Sequence, residues 1–135
     1  MPVPIKSPYR KKSPMKTSEH AEQAAFIQYC ARAVNAYPDL AWLYAIPNGG
    51  KRNLQVAIKL KAEGAKAGVP DLCLPTPRGP YHGLYLETKV KPNKTTPEQR
   101  AWITYLESQG YAAAVCYGCE GLIETVLWYL ALEKK

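Results

Sequence analysis

Asp71, Glu87 and Lys89 are the residues whose types and spacing could do chemistry together. They lie in the stretch Ala65 to Lys89, AKAGVPDLCLPTPRGPYHGLYLETK. Two short apolar runs, Leu72 to Leu74 and Leu84 to Leu86, read as strands joined by a Pro/Gly turn. Asp71 precedes the first run and Glu87 follows the second. Residues i and i+2 of a strand share a face, so Glu87 and Lys89 project together and Thr88 is reversed. If the two strands pair, Asp71 approaches Glu87. Two carboxylates repel unless a cation lies between them, and oxygen ligands suit Mg²⁺ or Mn²⁺. Taken alone, Pro-Asp is a break and a cap, and Glu-x-Lys is a solvated edge. The combination is what points to a site.

Those residues need a scaffold, and the rest of the chain predicts one. With 135 residues, 47% of them hydrophobic, the chain fits a single domain with a real core over residues 17–135. Residues 1–16 carry four prolines and five basic residues with no acid, which reads as a disordered basic arm. Net charge is +7, and Lys51 to Arg100 holds ten basic residues against four acidic ones. That pattern suits a polyanionic partner. No apolar run reaches membrane-spanning length and no signal-peptide core is evident, so a cytoplasmic protein is expected. Cys116-Tyr117-Gly118-Cys119 lacks a second pair at zinc spacing, and the four cysteines read as reduced and structural.

Taken in order, Ser18 caps a first helix with Phe26, Ile27, Cys30 and Val34 on its buried face. Glu19 and Glu22 both suit the positive end of that helix, and one of them could reach the carboxylates. Pro38-Asp39 ends the helix and Leu40 to Ile46 is a strand. Asn48, Gly49, Lys51 and Arg52 form a loop that could hold phosphate. Asn53 caps a second helix with Leu54, Ala57 and Ile58 inward, ending at Gly64. After the two site strands comes a basic loop with Lys91 and Lys94. Thr96-Pro97 starts a third helix. Gln99 fits the third position of a capping box, yet shares an inward stripe with Trp102, Ile103 and Leu106. A strand over Tyr111 to Tyr117 and a helix over Gly121 to Leu132 close the chain. The order α-β-α-β-β-α-β-α predicts an α/β domain with a central mixed sheet flanked by helices.

These residues resemble the PD-(D/E)XK nuclease superfamily. Ile46-Pro47-Asn48-Gly49-Gly50 with Arg52, then Gly68-Val69-Pro70-Asp71, Glu87-Thr88-Lys89 and Gln99, resemble the VRR-NUC domain. That is the virus-type replication-repair nuclease family, found in phages and in Fanconi-associated repair nucleases. The likeness covers about residues 18–130. It implies a restriction-endonuclease-like fold and a DNA endonuclease. It implies Mg²⁺ or Mn²⁺ held by Asp71, Glu87 and the Thr88 carbonyl, with Lys89 and Gln99 at the reacting phosphate. The family also has a helix-borne Glu. Glu22, in the Glu22-Gln23 pair, fits that place best, with Glu19 the alternative. By family likeness the first expected substrate is a four-way (Holliday) junction. The alternatives are a flap- or nick-processing nuclease and a non-catalytic DNA-binding module. Two-fold junctions suggest a homodimer, for which the apolar closing helix offers surface. The setting implied is a bacterial or phage-infected cell, with the protein at the nucleoid when bound to DNA.

Overall fold

A computed structural model describes residues 17–47 and 53–135. The expected arm and the loop residues Asn48, Gly49, Lys51 and Arg52 lie outside the described residues. The elements are α1 (Glu19–Ala33), β1 (Tyr44–Ala45), α2 (Leu54–Ala62), β2 (Leu72–Leu74), β3 (Leu84–Lys89), α3 (Pro97–Ser108), β4 (Ala112–Tyr117) and α4 (Gly118–Leu130). The expected order of helices and strands is the observed one.

The four strands form one mixed sheet in the order β1-β2-β3-β4. β1–β2 and β2–β3 are antiparallel, whereas β3–β4 is parallel. A parallel step needs a crossover, and α3 supplies it. Leu72, Leu74, Leu84 and Leu86 point to one face, where Phe26 of α1 and Leu122, Val126 and Tyr129 of α4 seal them from water. α3 lies against β4, with Leu106 buried. The Tyr129 hydroxyl donates to the Thr76 carbonyl at 2.6 Å, tying α4 to the loop between β2 and β3.

The helix starts follow from their caps. The Ser18 hydroxyl accepts from the Ala21 N–H at 3.0 Å, and Asn53 Oδ1 accepts from Val56 at 2.8 Å. Four expectations need correction. α1 stops at Ala33, before Pro38, and its Ile27 is exposed while Phe26 and Cys30 are buried. The strand expected over Leu40 to Ile46 is mostly a 3-10 turn, Pro38–Trp42. Pro38 pre-sets the turn, and Asp39 is drawn to the buried Arg78 guanidinium at 2.5 Å, so only Tyr44 and Ala45 remain to pair with β2. Among the described residues α2 lies against no other helix or strand. Leu54 and Ile58, expected inward, stand 75% and 59% exposed. α4, expected to spare apolar surface for a dimer, has Leu122, Ile123, Val126 and Tyr129 buried within the monomer, with Leu127, Trp128 and Leu130 packed against the same core.

Candidate active site

β3 carries the site because it is the sheet's longest antiparallel member and runs past the start of β2. The register pairs Leu72 with Leu86, so its continuation sets Asp71 beside Glu87 and Pro70 opposite Thr88. Proline has no N–H. The ladder therefore ends there, and Pro70 can offer nothing to the Thr88 carbonyl. The Thr88 N–H instead donates to Asp71 Oδ2 at 2.8 Å. N–H and C=O of one strand residue point the same way, so the Thr88 carbonyl leans to the side of Asp71. Thr88 Oγ1 faces the other side of the sheet, 3.5 Å from Gln23 Oε1 on α1.

Gly68 sets the approach of this loop. It has a φ of +88°, and a Cβ there would fall 2.5 Å from the Glu98 carbonyl carbon in the first turn of α3. Only glycine accepts both conditions. Gly68→Ala should cost about 2–3 kcal/mol of stability by pushing α3 from the loop. Thermal unfolding checks it, and an unchanged melting temperature would mean that the close approach is dispensable.

Glu87 is 2% exposed, and among the described residues its Oε1 has no hydrogen-bond partner. Its carboxyl is pushed up to about 9, first by burial, then by the hydrogen bond and charge of Asp71, with Lys89 opposing and Glu19 adding to the rise. A buried, orphaned carboxylate oxygen beside a second carboxylate is a place where a divalent cation fits. Among the described residues no three His, Cys, Asp or Glu side chains form a metal cluster. The register brings the Asp71 and Glu87 carboxylates side by side, with the Thr88 N–H donating to Asp71.

Lys89 is buried, and its Nζ lies 3.9 Å from Glu19 Oε2. Glu19 also accepts from Asn93 Nδ2 at 3.3 Å. The two helix carboxylates thus part company. Glu22, preferred on sequence, turns to α4: its Oε1 accepts the Cys119 N–H at 2.9 Å, and its Oε2 accepts from the Thr17 hydroxyl at 3.1 Å. Gly118, with a φ of +73°, leaves room for that carboxylate, since a Cβ would lie 2.8 Å from it. Glu22 is therefore a cap on the α4 N-terminus, where the helix dipole favours it.

Gln99 makes the capping box. Its Oε1 accepts the Thr96 N–H at 2.9 Å, and its own N–H donates to Thr96 Oγ1 at 3.1 Å. The amide oxygen is thereby spent on α3 rather than on the carboxylates. Lys91 and Lys94 are exposed on the loop that follows β3. Asn93 of that loop was missed as a site residue. Besides holding Glu19, its carbonyl accepts from the Tyr117 hydroxyl at 3.3 Å, which ties the loop to the end of β4. Its position beside the lysines, on a loop 74 residues beyond Glu19, leaves no local pattern to find it by.

A mixed sheet that presents Pro-Asp and Glu-x-Lys on one face, with α1 and α4 on the other, defines a nuclease of the PD-(D/E)XK type. The family model for the VRR-NUC domain matches residues 39–120, and the chain belongs to that family. A solved structure described as a VRR_NUC domain protein has a TM-score of 0.75 to this fold at 29% identity, covering 90% of this chain and 94% of that one. No curated protein matches the chain. A nuclease domain of this family implies DNA as substrate. Among the described residues no helix is long and apolar enough to cross a membrane.

Proposed function

We propose that this protein is a divalent-metal-dependent, structure-selective DNA endonuclease, with four-way junctions as first substrate. The observation that carries the reading is the buried, unpartnered Glu87 Oε1 beside Asp71, with Lys89 on the same face. Asp71, Glu87 and the Thr88 carbonyl would hold Mg²⁺ or Mn²⁺. When bound, the ion neutralises charge at the scissile phosphate and makes water a stronger nucleophile. Asp71 would be kept in orientation by the Thr88 N–H. Lys89, shielded from water, would place the attacking water and oppose the charge that develops on the phosphate. Glu19, rather than Glu22, would orient the Lys89 ammonium, with Asn93 fixing Glu19 in turn. Gln99 would act through α3, holding the helix start that packs on Gly68.

Exposed Lys91 and Lys94 support phosphate-backbone contact beside the site. Asn48, Gly49, Lys51, Arg52 and a basic arm over 1–16 would extend that contact. A junction has two-fold symmetry and calls for two sites. For a homodimer the exposed apolar surface is now on α2, at Leu54, Val56 and Ile58, rather than on α4. A panel of four-way junctions, flaps, nicked and blunt duplexes, incubated with Mg²⁺, Mn²⁺ or EDTA, tests the reading. Cutting that needs no metal would overturn the site, and a protein that cuts flaps and spares junctions would leave the flap nuclease. Light scattering alongside checks the dimer, which a monomer at micromolar concentration would exclude.

The helix carboxylates give a sharper expectation. Glu19→Gln should lower cleavage by about 10- to 100-fold with little change in melting temperature, because the carboxylate meets Lys89 at the site's edge. Glu22→Gln should mainly lower the melting temperature, by removing about 1 kcal/mol of cap from α4. The opposite ranking, read from single-turnover rates and melting curves, would return Glu22 to the site.

A further inference from the structure

The face that holds the carboxylates continues beyond them. Tyr85, Glu87 and Lys89 leave β3 on the same side. The ladder carries that side across the sheet, since Tyr85 is opposite Cys73 and Cys73 is opposite Tyr44. Tyr44 and Tyr85 therefore occupy the row next to Asp71 and Glu87, about 6.6 Å along the strand. The core of α1 and α4 covers the other face, and α3 covers only β4. Among the described residues no helix lies on the β1–β2–β3 part of the site face.

The Tyr85 ring in that row is braced. Tyr85 meets Tyr111 edge to face at 5.5 Å between centroids, and Tyr111 meets His82 at 5.6 Å. Buried Cys73 lies between Tyr44 and Tyr85. A hydrogen bond with its thiol is the first cause that raises the Tyr44 phenol, and burial followed by Cys73 pushes Tyr85 up to about 12. Tyr44 stands 49% exposed. Single exposed aromatics need no explanation. A row of two tyrosines, one of them braced, beside Asp71 and Glu87 does.

We propose that Tyr44 and Tyr85 form a stacking platform for an unpaired base of the DNA strand being cut, next to the phosphate held at Asp71, Glu87 and Lys89. The proposal rests on the nuclease reading and deepens it. A base within continuous duplex already stacks on its neighbours and gains nothing from a ring. A base splayed at a branch, flap or nick can stack on the tyrosines whatever its sequence. Selection of branched DNA would then come from an unstacked nucleotide at the cut, read by its π-face.

The test uses the full chain carrying Glu87→Gln, so that DNA is bound and not consumed. The probe is a flapped duplex with 2-aminopurine as the unpaired base beside the branch, against a blunt duplex of the same sequence. Binding should change the 2-aminopurine fluorescence and favour the flap. Tyr44→Phe should retain both effects. Tyr44→Leu, at an exposed edge position, should lose the fluorescence change and reduce the preference for flap over duplex by about tenfold. A preference and a fluorescence change that survive Tyr44→Leu would overturn the platform. Failure of the wild-type chain to cut any DNA with Mg²⁺ or Mn²⁺, with the fluorescence change intact, would overturn the nuclease reading and leave the platform standing.

Discussion

Glu87→Gln is expected to abolish cleavage while raising the stability of the metal-free protein at alkaline pH. The wild-type carboxyl is buried and held up to about 9 against an ordinary 4.5, chiefly by burial and then by Asp71. The folded state keeps a proton that the unfolded chain releases above pH 4.5. Stability without metal should therefore fall as pH rises through that window, by at most about 1.4 kcal/mol per pH unit, and level off once the folded carboxyl has ionised. Glutamine cannot ionise, so its protein escapes that decline. Melting curves in EDTA should nearly coincide for the two proteins near pH 5 and separate by pH 8, with the variant higher. Parallel curves would mean that Glu87 is not held protonated. Cleavage should fall on the order of 10³-fold or more, because a neutral amide is a far poorer ligand for a hard cation. Metal binding to the wild type must displace the retained proton, so its affinity should rise with pH.

Lys89→Met should lower the rate of bound-substrate cleavage by about 10²- to 10³-fold while DNA affinity changes little. Lys89 is 6% exposed, so its stem is packed and methionine preserves most of that volume. What is lost is the ammonium, 3.9 Å from Glu19 and on the face of Glu87. A group that acts mainly in the transition state lowers kcat and leaves KM nearly alone. Lys89→Arg should not rescue, because the planar guanidinium is larger and carries its donors differently. A variant that instead loses DNA binding, with single-turnover rates intact at saturation, would make Lys89 a phosphate anchor.

Much of the candidate site's geometry is legible in the sequence because its logic is local. Period two on a strand joins Glu87 to Lys89, and a short Pro/Gly turn brings Leu72 to Leu74 against Leu84 to Leu86, with Asp71 following from the register. The starts of α1, α2 and α3 were equally plain, since a cap is settled within three residues of chain at Ser18, Asn53 and Thr96. Gln99 belongs with them. The Thr96 N–H, three residues away, takes up its amide oxygen.

Tertiary structure decided the remainder. Glu19 and Glu22 are three residues apart and thus share a helix face, separated by about one turn of rise. Their spacing cannot say which meets β3 and which meets α4. The seating of α1 against α4 puts Glu22 over Gly118 and leaves Glu19 to Lys89. The turn at Pro38–Trp42 likewise depends on Arg78, 39 residues beyond Asp39. The apolar side chains of α2 have the right period and, among the described residues, meet no other helix or strand, because amphipathicity states that a face prefers burial and not what will bury it. The tyrosine row shows the same division. That Tyr85 shares a face with Glu87 follows from the strand period alone, whereas only the pairing of β1 with β2 brings Tyr44 beside it, since contacts across a sheet are set by register between segments far apart in the chain.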